Sequence, residues 1–390
     1  MNRTQDMARA LRRAEPHRLM EAVRTVLAQE HDVVSAELYL ADYGLKTLCP
    51  VGDRPGWEGH GHSAFNTVPG RVFGSQEAFV EETAQDGSCA VHLPVSARGD
   101  RLGVLTVTTG PGTRVRGILA DLVDAAEALG HELLVAARDT DLYRSVRRRE
   151  RLTLAAEMQW DLLPGRGYEC PEYTIGAQLE PAYDVRGDNF DWAVMPDRLE
   201  LGITNGMGEG IEASLLTNLA VNALRNARRG GVSLADQAAL ADKAVYDRHR
   251  GERHVDSLLL GFDPGTGRVD VVDAGSPRLY LLRDDRVTHM PFEAQLPLGM
   301  AEDTVYVAQH FQVEPGDRLV FASDGVFDTL NTNGREAFGD RALARAILGT
   351  RLLPGASVPE EVLRHLVEYQ GGRQAEDDAL VVCLDWRGRP

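Results

Sequence analysis

Apolar residues recur at intervals of three and four over residues 5–29, at Met7, Leu11, Leu19, Met20, Val23, Val26 and Leu27, which predicts a helix. The period then drops to two. Ser35 to Leu40 alternates, Lys46 to Cys49 resumes after a Tyr-Gly turn, and Cys89 to Val95 and Leu102 to Val107 flank Arg98-Gly99-Asp100 as a hairpin. Residues 51–75 are rich in Gly, Pro and His and read as loop, with Pro69-Gly70 as a turn. Helical spacing returns from Val115 to Leu163, through Leu122, Leu129, Leu133, Leu142, Val146 and Met158, with Gly130 and Arg147-Arg148-Arg149 as interruptions; Pro164-Gly165 ends it. So long a helix carries an apolar stripe that needs a cover. A second protomer in parallel would supply one, making a homodimer through this helix. Two shorter helices broken near Asp139-Thr140-Asp141, each packed on its own domain, would need none.

Alternation dominates from Tyr173 onward. Strands are predicted at Tyr173 to Gln178, Phe190 to Val194, Leu199 to Ile203, Ser257 to Phe262, Arg268 to Asp273, Arg278 to Leu282, Arg286 to Met290, Arg318 to Ala322 and Ala379 to Leu384. Helices are predicted at Ile211 to Leu224, Leu234 to His249, Arg341 to Leu348 and Pro359 to Tyr369. Asp263-Pro264-Gly265 and Asp284-Asp285 read as tight reversals. Many antiparallel strands with two helical pairs imply an α+β sandwich. At 390 residues the chain is long enough for two or three domains.

The net charge of −17 disfavours nucleic acid as a partner, because phosphate binding needs a basic face. Cys49, Cys89, Cys170 and Cys383 form no CxxC pair and read as reduced thiols. The N-terminus has no apolar signal core, and no stretch approaches the ~18 unbroken apolar residues of a membrane helix, so a cytoplasmic location is expected. The Arg147 to Arg151 cluster reads as a solvated helix face.

Three segments place acids beside apolar strands, as a hard-cation site built from several strand ends requires. Asp188 and Asp191 lie in a first loop, ahead of the small-residue run Asn205-Gly206-Met207-Gly208-Glu209-Gly210. The others are Phe321-Ala322-Ser323-Asp324-Gly325 and Glu376-Asp377-Asp378.

Two resemblances add to this. The order helix, two strands, loop, hairpin, helix over residues 1–138, with VHLPVSARGDRLGVLTVTTG as its last hairpin, resembles a GAF domain, a sensory or dimerising module. His60, His62 and His92 are candidates for a ligand there, against the plainer reading of loop and satisfied strand histidines. Residues 139–166 would be a linker helix. Residues 167–390 resemble the bacterial branch of the PPM phosphatases, of SpoIIE and RsbU type. The segments that carry this are EMQWDLLPG, PAYDVRGDNFDWAV, LGITNGMGEGIEASLL, LLLGFDPGTGRVDVVDAGSPRLYLL, PLGM, GDRLVFASDGVFD and AEDDALVV, in the family's order.

The resemblance implies two Mn²⁺ or Mg²⁺ ions in an all-oxygen site, with one or none left open by the substitutions below. Asp188, Asp324 and Asp377 would be catalytic metal ligands, with the Gly206 carbonyl as a main-chain ligand and Asp378 and Asp191 as further candidates. It also implies a phosphoserine/phosphothreonine phosphatase. The substrate would be a phosphorylated signalling protein of the anti-sigma-factor-antagonist type, and the GAF-like domain would gate activity.

The family's bridging aspartate, itself a metal ligand, falls on Asn205, which offers one neutral oxygen. Glu209 replaces a His or Lys, Ser276 a His, Ala379 a Thr or Ser, and Arg186 a Gly. Glu209 would be a substitute carboxylate. The alternatives are a pseudophosphatase that docks a phosphoprotein without hydrolysis, and a scaffold that binds a different ligand.

Overall fold

The computed structural model describes residues 3–52, 61–82, 87–181, 186–372 and 377–389. His60, residues 182–185 and Glu376 lie outside the described residues. The chain forms two compact units, residues 1–151 and 152–390.

The N-terminal unit comprises α1 (Arg3–Arg13), α2 (Leu19–His31), β1 (Val33–Ala41), β2 (Thr47–Pro50), β3 (His62–Ser63), α3 (Val68–Ser75), β4 (Phe79–Glu82), β5 (Cys89–Ala97), β6 (Asp100–Thr109), α4 (Val115–Ala136) and α5 (Leu142–Val146). Its strands form one antiparallel sheet in the order β3-β2-β1-β6-β5-β4. The helix expected over 5–29 is two, because Pro16 cannot continue the first. The loop expected over 51–75 contains α3. Thr67 caps it by accepting from the Gly70 N–H at 3.1 Å, and Pro69 sits in the first turn, where its missing N–H costs nothing.

The near-continuous helix expected from Val115 to Leu163 is three pieces. Gly130 is not a break. It lies inside α4, where a Cβ would stand 2.3 Å from the Ser96 carbonyl of β5, so its bareness permits close packing. The breaks follow Ala136 and Val146. Arg147 leaves the helix to donate to the Ala41 carbonyl at 2.9 Å and to lie over the Tyr43 ring at 5.0 Å. A third helix, α6 (Leu154–Leu162), restarts in the C-terminal unit under a Thr153 cap. Leu122, Ala126, Leu129, Leu133 and Tyr143 are buried in the N-terminal unit's own core. The stripe that called for a second protomer is therefore largely covered within the unit.

The C-terminal unit continues with β7 (Gly167–Glu169), β8 (Tyr173–Glu180), β9 (Asp188–Met195), β10 (Arg198–Gly206), α7 (Gly210–Arg229), α8 (Leu234–His249), β11 (Val255–Phe262), β12 (Arg268–Ala274), β13 (Arg278–Arg283), β14 (Arg286–Met290), β15 (Gln309–Gln312), β16 (Arg318–Ala322), α9 (Asp324–Phe327), α10 (Ala342–Gly349), α11 (Val358–Tyr369) and β17 (Ala379–Trp386). Two antiparallel sheets result, β15-β12-β11-β10-β9 and β14-β13-β16-β17-β8-β7. Phe262 of the first stacks on Trp386 of the second, with ring centres 5.8 Å apart, which identifies the inner face of each sheet. Helices α7 and α8 bury Leu216, Ala220, Leu224 and Ala238 with Leu259 and Val272 of the first sheet. Helices α10 and α11 bury Ile347, Val362 and Leu366 with Val320 and Val381 of the second. Mixed helix and antiparallel sheet is thus the architecture, and the ends of β9, β10, β16 and β17 carry the acids singled out above.

Candidate metal centre

Side chains alternate between the two faces of a strand, so Asp256, Leu258 and Leu260 share the inner face with Phe262. In the β-ladder Asn205 stands directly opposite Asp256 on one side and Asp188 on the other. Directly opposed residues lie on the same face, with Cβ atoms about 5 Å apart. Asp188, Asn205 and Asp256 therefore form one row across β9, β10 and β11, turned toward the facing sheet. Asp188, Asn205 and Gly206 sit within strand ends rather than in the loop and turn expected.

The second sheet contributes from across the gap. Asp324 begins α9, immediately after β16. Its Oδ1 accepts from Asn205 Nδ2 at 2.9 Å and from the Gly325 N–H at 3.0 Å. Asp377 is exposed just before β17, its Oδ1 accepting from the Asp378 N–H at 2.8 Å. Asp378 is buried, and its Oδ2 accepts from the main-chain N–H groups of Arg186, Gly187 and Asp188. It is the anchor of the segment that leads into Asp188. Gln159 of α6 holds the same segment from the other side, donating to the Asp188 carbonyl at 3.2 Å. Close packing fixes it further: a Cβ on Gly187 would stand 2.3 Å from the Gly206 carbonyl and 2.9 Å from Asn205 Oδ1.

Asp188 is the unusual member. It is 1% exposed, and both carboxylate oxygens are buried without a hydrogen-bond partner. Burial, and then the neighbouring Asp378, with Asp324 and Asp377 adding, hold its carboxyl well above the usual range against the opposing pull of the nearby Ser323 hydroxyl. Burial also pushes Asp378 up, to about 7, although the three N–H groups it accepts pull the other way. A buried carboxylate with no counter-charge is costly, and a cation or a proton relieves the cost.

Among the described residues no three His, Cys, Asp or Glu side chains already surround one point as a preformed cation cage. The cause is visible: Asp324 is turned to the Asn205 amide and Asp378 to the main chain. The donor set nevertheless fits a hard divalent cation. It offers oxygen ligands from Asp188, Asp324 and Asp377, with Asp188 oxygens that nothing else engages.

Two expected contributors stand elsewhere. Asp191 is on the outer face, gripped by Arg225 at 2.7 Å and Arg228 at 2.9 Å from α7, so it is a structural ion pair. Glu209 immediately precedes α7 and makes no capping bond to it; its side chain is 80% exposed and 3.9 Å from Arg186, so it does not replace the missing carboxylate. In the N-terminal unit, His92 is buried on β5 against Thr106 at 3.0 Å, and His62 packs edge-on against Tyr39; both have protein partners. Asp256 was not anticipated. Nothing local in the sequence marks it, since its place beside Asn205 comes from strand register alone.

Residues 195–387 match the family described as Stage II sporulation protein E (SpoIIE). That span includes Asn205, Gly206, Asp256, Asp324 and Asp377 and begins after Asp188. The chain is 23% identical over 234 residues to phosphoserine phosphatase RsbU of Bacillus subtilis, covering 59% of this chain and 69% of that protein. It is 22% identical over 217 residues to phosphoserine phosphatase RsbP of the same organism, covering 54% of this chain and 52% of that protein. It thus spans about half the length of the second relative. The SiaA-PP2C domain of Pseudomonas aeruginosa has the same fold, with a TM-score of 0.50 and 21% identity over 60% of this chain and 94% of that domain. Among the described residues no helix is long and apolar enough to cross a membrane.

Proposed function

The C-terminal unit belongs to the SpoIIE family of PPM-type phosphatase domains, and on that premise we propose that the chain is a divalent-cation-dependent serine/threonine phosphoprotein phosphatase. The observation that carries this is Asp188: a wholly buried carboxylate, both oxygens unengaged, in a row that faces Asp324. Buried and unpaired, that carboxyl costs stability unless a proton or a cation meets its oxygens.

Asp188, Asp324 and Asp377 would hold Mn²⁺ or Mg²⁺, with the Gly206 carbonyl beside them. When bound, the metal supplies an activated water and neutralises phosphoryl oxygens. The protein's own residues set the geometry. Asp378 and Gln159 fix the segment that presents Asp188. Arg186 and Arg253 stand beside the Gly206–Gly210 turn, where guanidinium groups suit a phosphoester dianion. The substrate class is a phosphorylated signalling protein of the anti-sigma-factor-antagonist type, and the N-terminal unit is a GAF-like sensor that regulates the site.

A second reading has its own support. The Asn205 amide occupies Asp324 Oδ1, a contact that a bridging carboxylate would not make. A unit that docks a phosphoprotein without hydrolysing it would show this arrangement. Phosphate release from a phosphoserine peptide with Mn²⁺ separates the two. Slow release that Asn205→Asp raises and Asp324→Asn abolishes supports the enzyme. No release in the parent, with no metal bound, supports the docking module.

A further inference from the structure

Resting on the cation-dependent reading above, we propose that Asp256 supplies the cation-binding carboxylate that position 205 lacks. The acid has in effect moved one strand along the same row, from β10 to β11.

Register comes first. Asn205 is flanked directly by Asp188 and Asp256, and all three side chains leave the sheet on the face that meets the second sheet. Asp256 therefore sits one strand spacing, about 5 Å, from where the missing carboxylate would be. Its Cβ is about 10 Å from that of Asp188. That is too far for both to ligate one cation at bonds near 2.1 Å, and it suits the second of two cations about 4 Å apart. Asp324 faces the row between them, bonded to Asn205.

Unsatisfied groups bracket the row. At one end Asp188 is fully buried with both oxygens unpartnered. At the other, the Gly275–Ser276 turn closes over Asp256. A Cβ on Gly275 would come 2.2 Å from Asp256 Oδ1, and the adjacent Ser276 Oγ is buried without a partner. The nearest cationic candidate for Asp256 is His254, whose Nε2 is 3.9 Å from Oδ2, beyond hydrogen-bond reach.

Charge completes the case. Two dications bring four positive charges, and Asp188, Asp256, Asp324 and Asp377 bring four negative ones. Without Asp256 the fourth would have to come from Asp378, which lies outside the row and is held through Oδ2 by three main-chain N–H groups, with its buried Oδ1 left unpartnered; Glu209 points to solvent.

The test measures Mn²⁺ binding by titration calorimetry on the full chain, metal-free, for the parent, Asp256→Asn, Asp188→Asn and the double variant Asp256→Asn/Asn205→Asp. Asn at 256 keeps an oxygen acceptor for the Gly275–Ser276 turn, so a purely structural role survives the change. Thermal melts in chelator confirm that each variant folds. The expected result is a loss of one Mn²⁺ equivalent, or at least a tenfold weakening, in Asp256→Asn, with recovery in the double variant, where the carboxylate returns one strand over. Binding within twofold of the parent in Asp256→Asn, while Asp188→Asn abolishes it, overturns the role of Asp256 and leaves the metal centre standing. A parent that binds no Mn²⁺ overturns both.

Discussion

Asp188 and Asp191 are three residues apart and have opposite fates, because adjacent strand positions face opposite ways. Asp188 turns inward to an unsatisfied pocket; Asp191 turns outward onto Arg225 and Arg228. Removing Asp191 leaves two mostly buried guanidinium groups without their counter-charge. Asp191→Ala is therefore expected to lower unfolding free energy in urea by ~3–5 kcal/mol while leaving Mn²⁺ binding at a given folded fraction unchanged. Gly187→Ala acts differently. Its Cβ would collide with the Gly206 carbonyl, so the loop must move, at a cost of ~1–3 kcal/mol. Mn²⁺ affinity should fall with it. Equal Mn²⁺ affinity in Gly187→Ala and the parent would show that the close packing of this loop does not position the site.

At the scale of elements, the pair of strand ends that carry Asp188 and Asp378 hold more protons folded than unfolded. Burial raises both carboxyls, Asp378 to about 7, against an ordinary value of about 3.9. A raised folded pKa favours the native state below the unfolded value, and the benefit is lost as pH climbs through the folded one. With chelator present, the melting temperature should fall between about pH 5 and about pH 7.5. Mn²⁺ should bind more tightly over the same interval, because it displaces a proton. Asp188→Asn should reduce the fall in melting temperature, and Asp188→Asn/Asp378→Asn should abolish it; a slope of parent size in the double variant would assign the titration to other groups.

The same scale shows what the sequence could and could not convey. Alternation and turn residues located most strands, and motif order brought Asp188, Asn205, Gly206, Asp324 and Asp377 to one region. Register was not legible. Asp256 stands 51 positions from Asn205, and only the β10–β11 ladder makes them neighbours. The grip on Asp191 spans 34 and 37 positions. Helical periodicity over residues 115–163 was real, but it does not reveal what covers the stripe. Packing against β5 and the diversion of Arg147 decided that. Composition over residues 51–75 predicts loop, whereas Thr67 and Pro69 together start a helix.

Across the whole molecule, the acids lie where the two sheets of the C-terminal unit meet at strand ends, as the proposed phosphatase requires. On the proposed reading, the neutral Asn205 side chain slows turnover even with Asp256 in place, because Asp256 brings its charge one strand away from position 205. One restored carboxylate at the site should raise turnover about tenfold, or ~1.4 kcal/mol in the barrier. The most direct measurement follows phosphate release from a phosphoserine peptide by the full chain, with and without Mn²⁺, in the parent, Asn205→Asp and Asp188→Asn. The account predicts slow, Mn²⁺-dependent release in the parent, faster release in Asn205→Asp and none in Asp188→Asn. Release that ignores Mn²⁺ or survives Asp188→Asn, or a parent that neither binds Mn²⁺ nor releases phosphate, would contradict it.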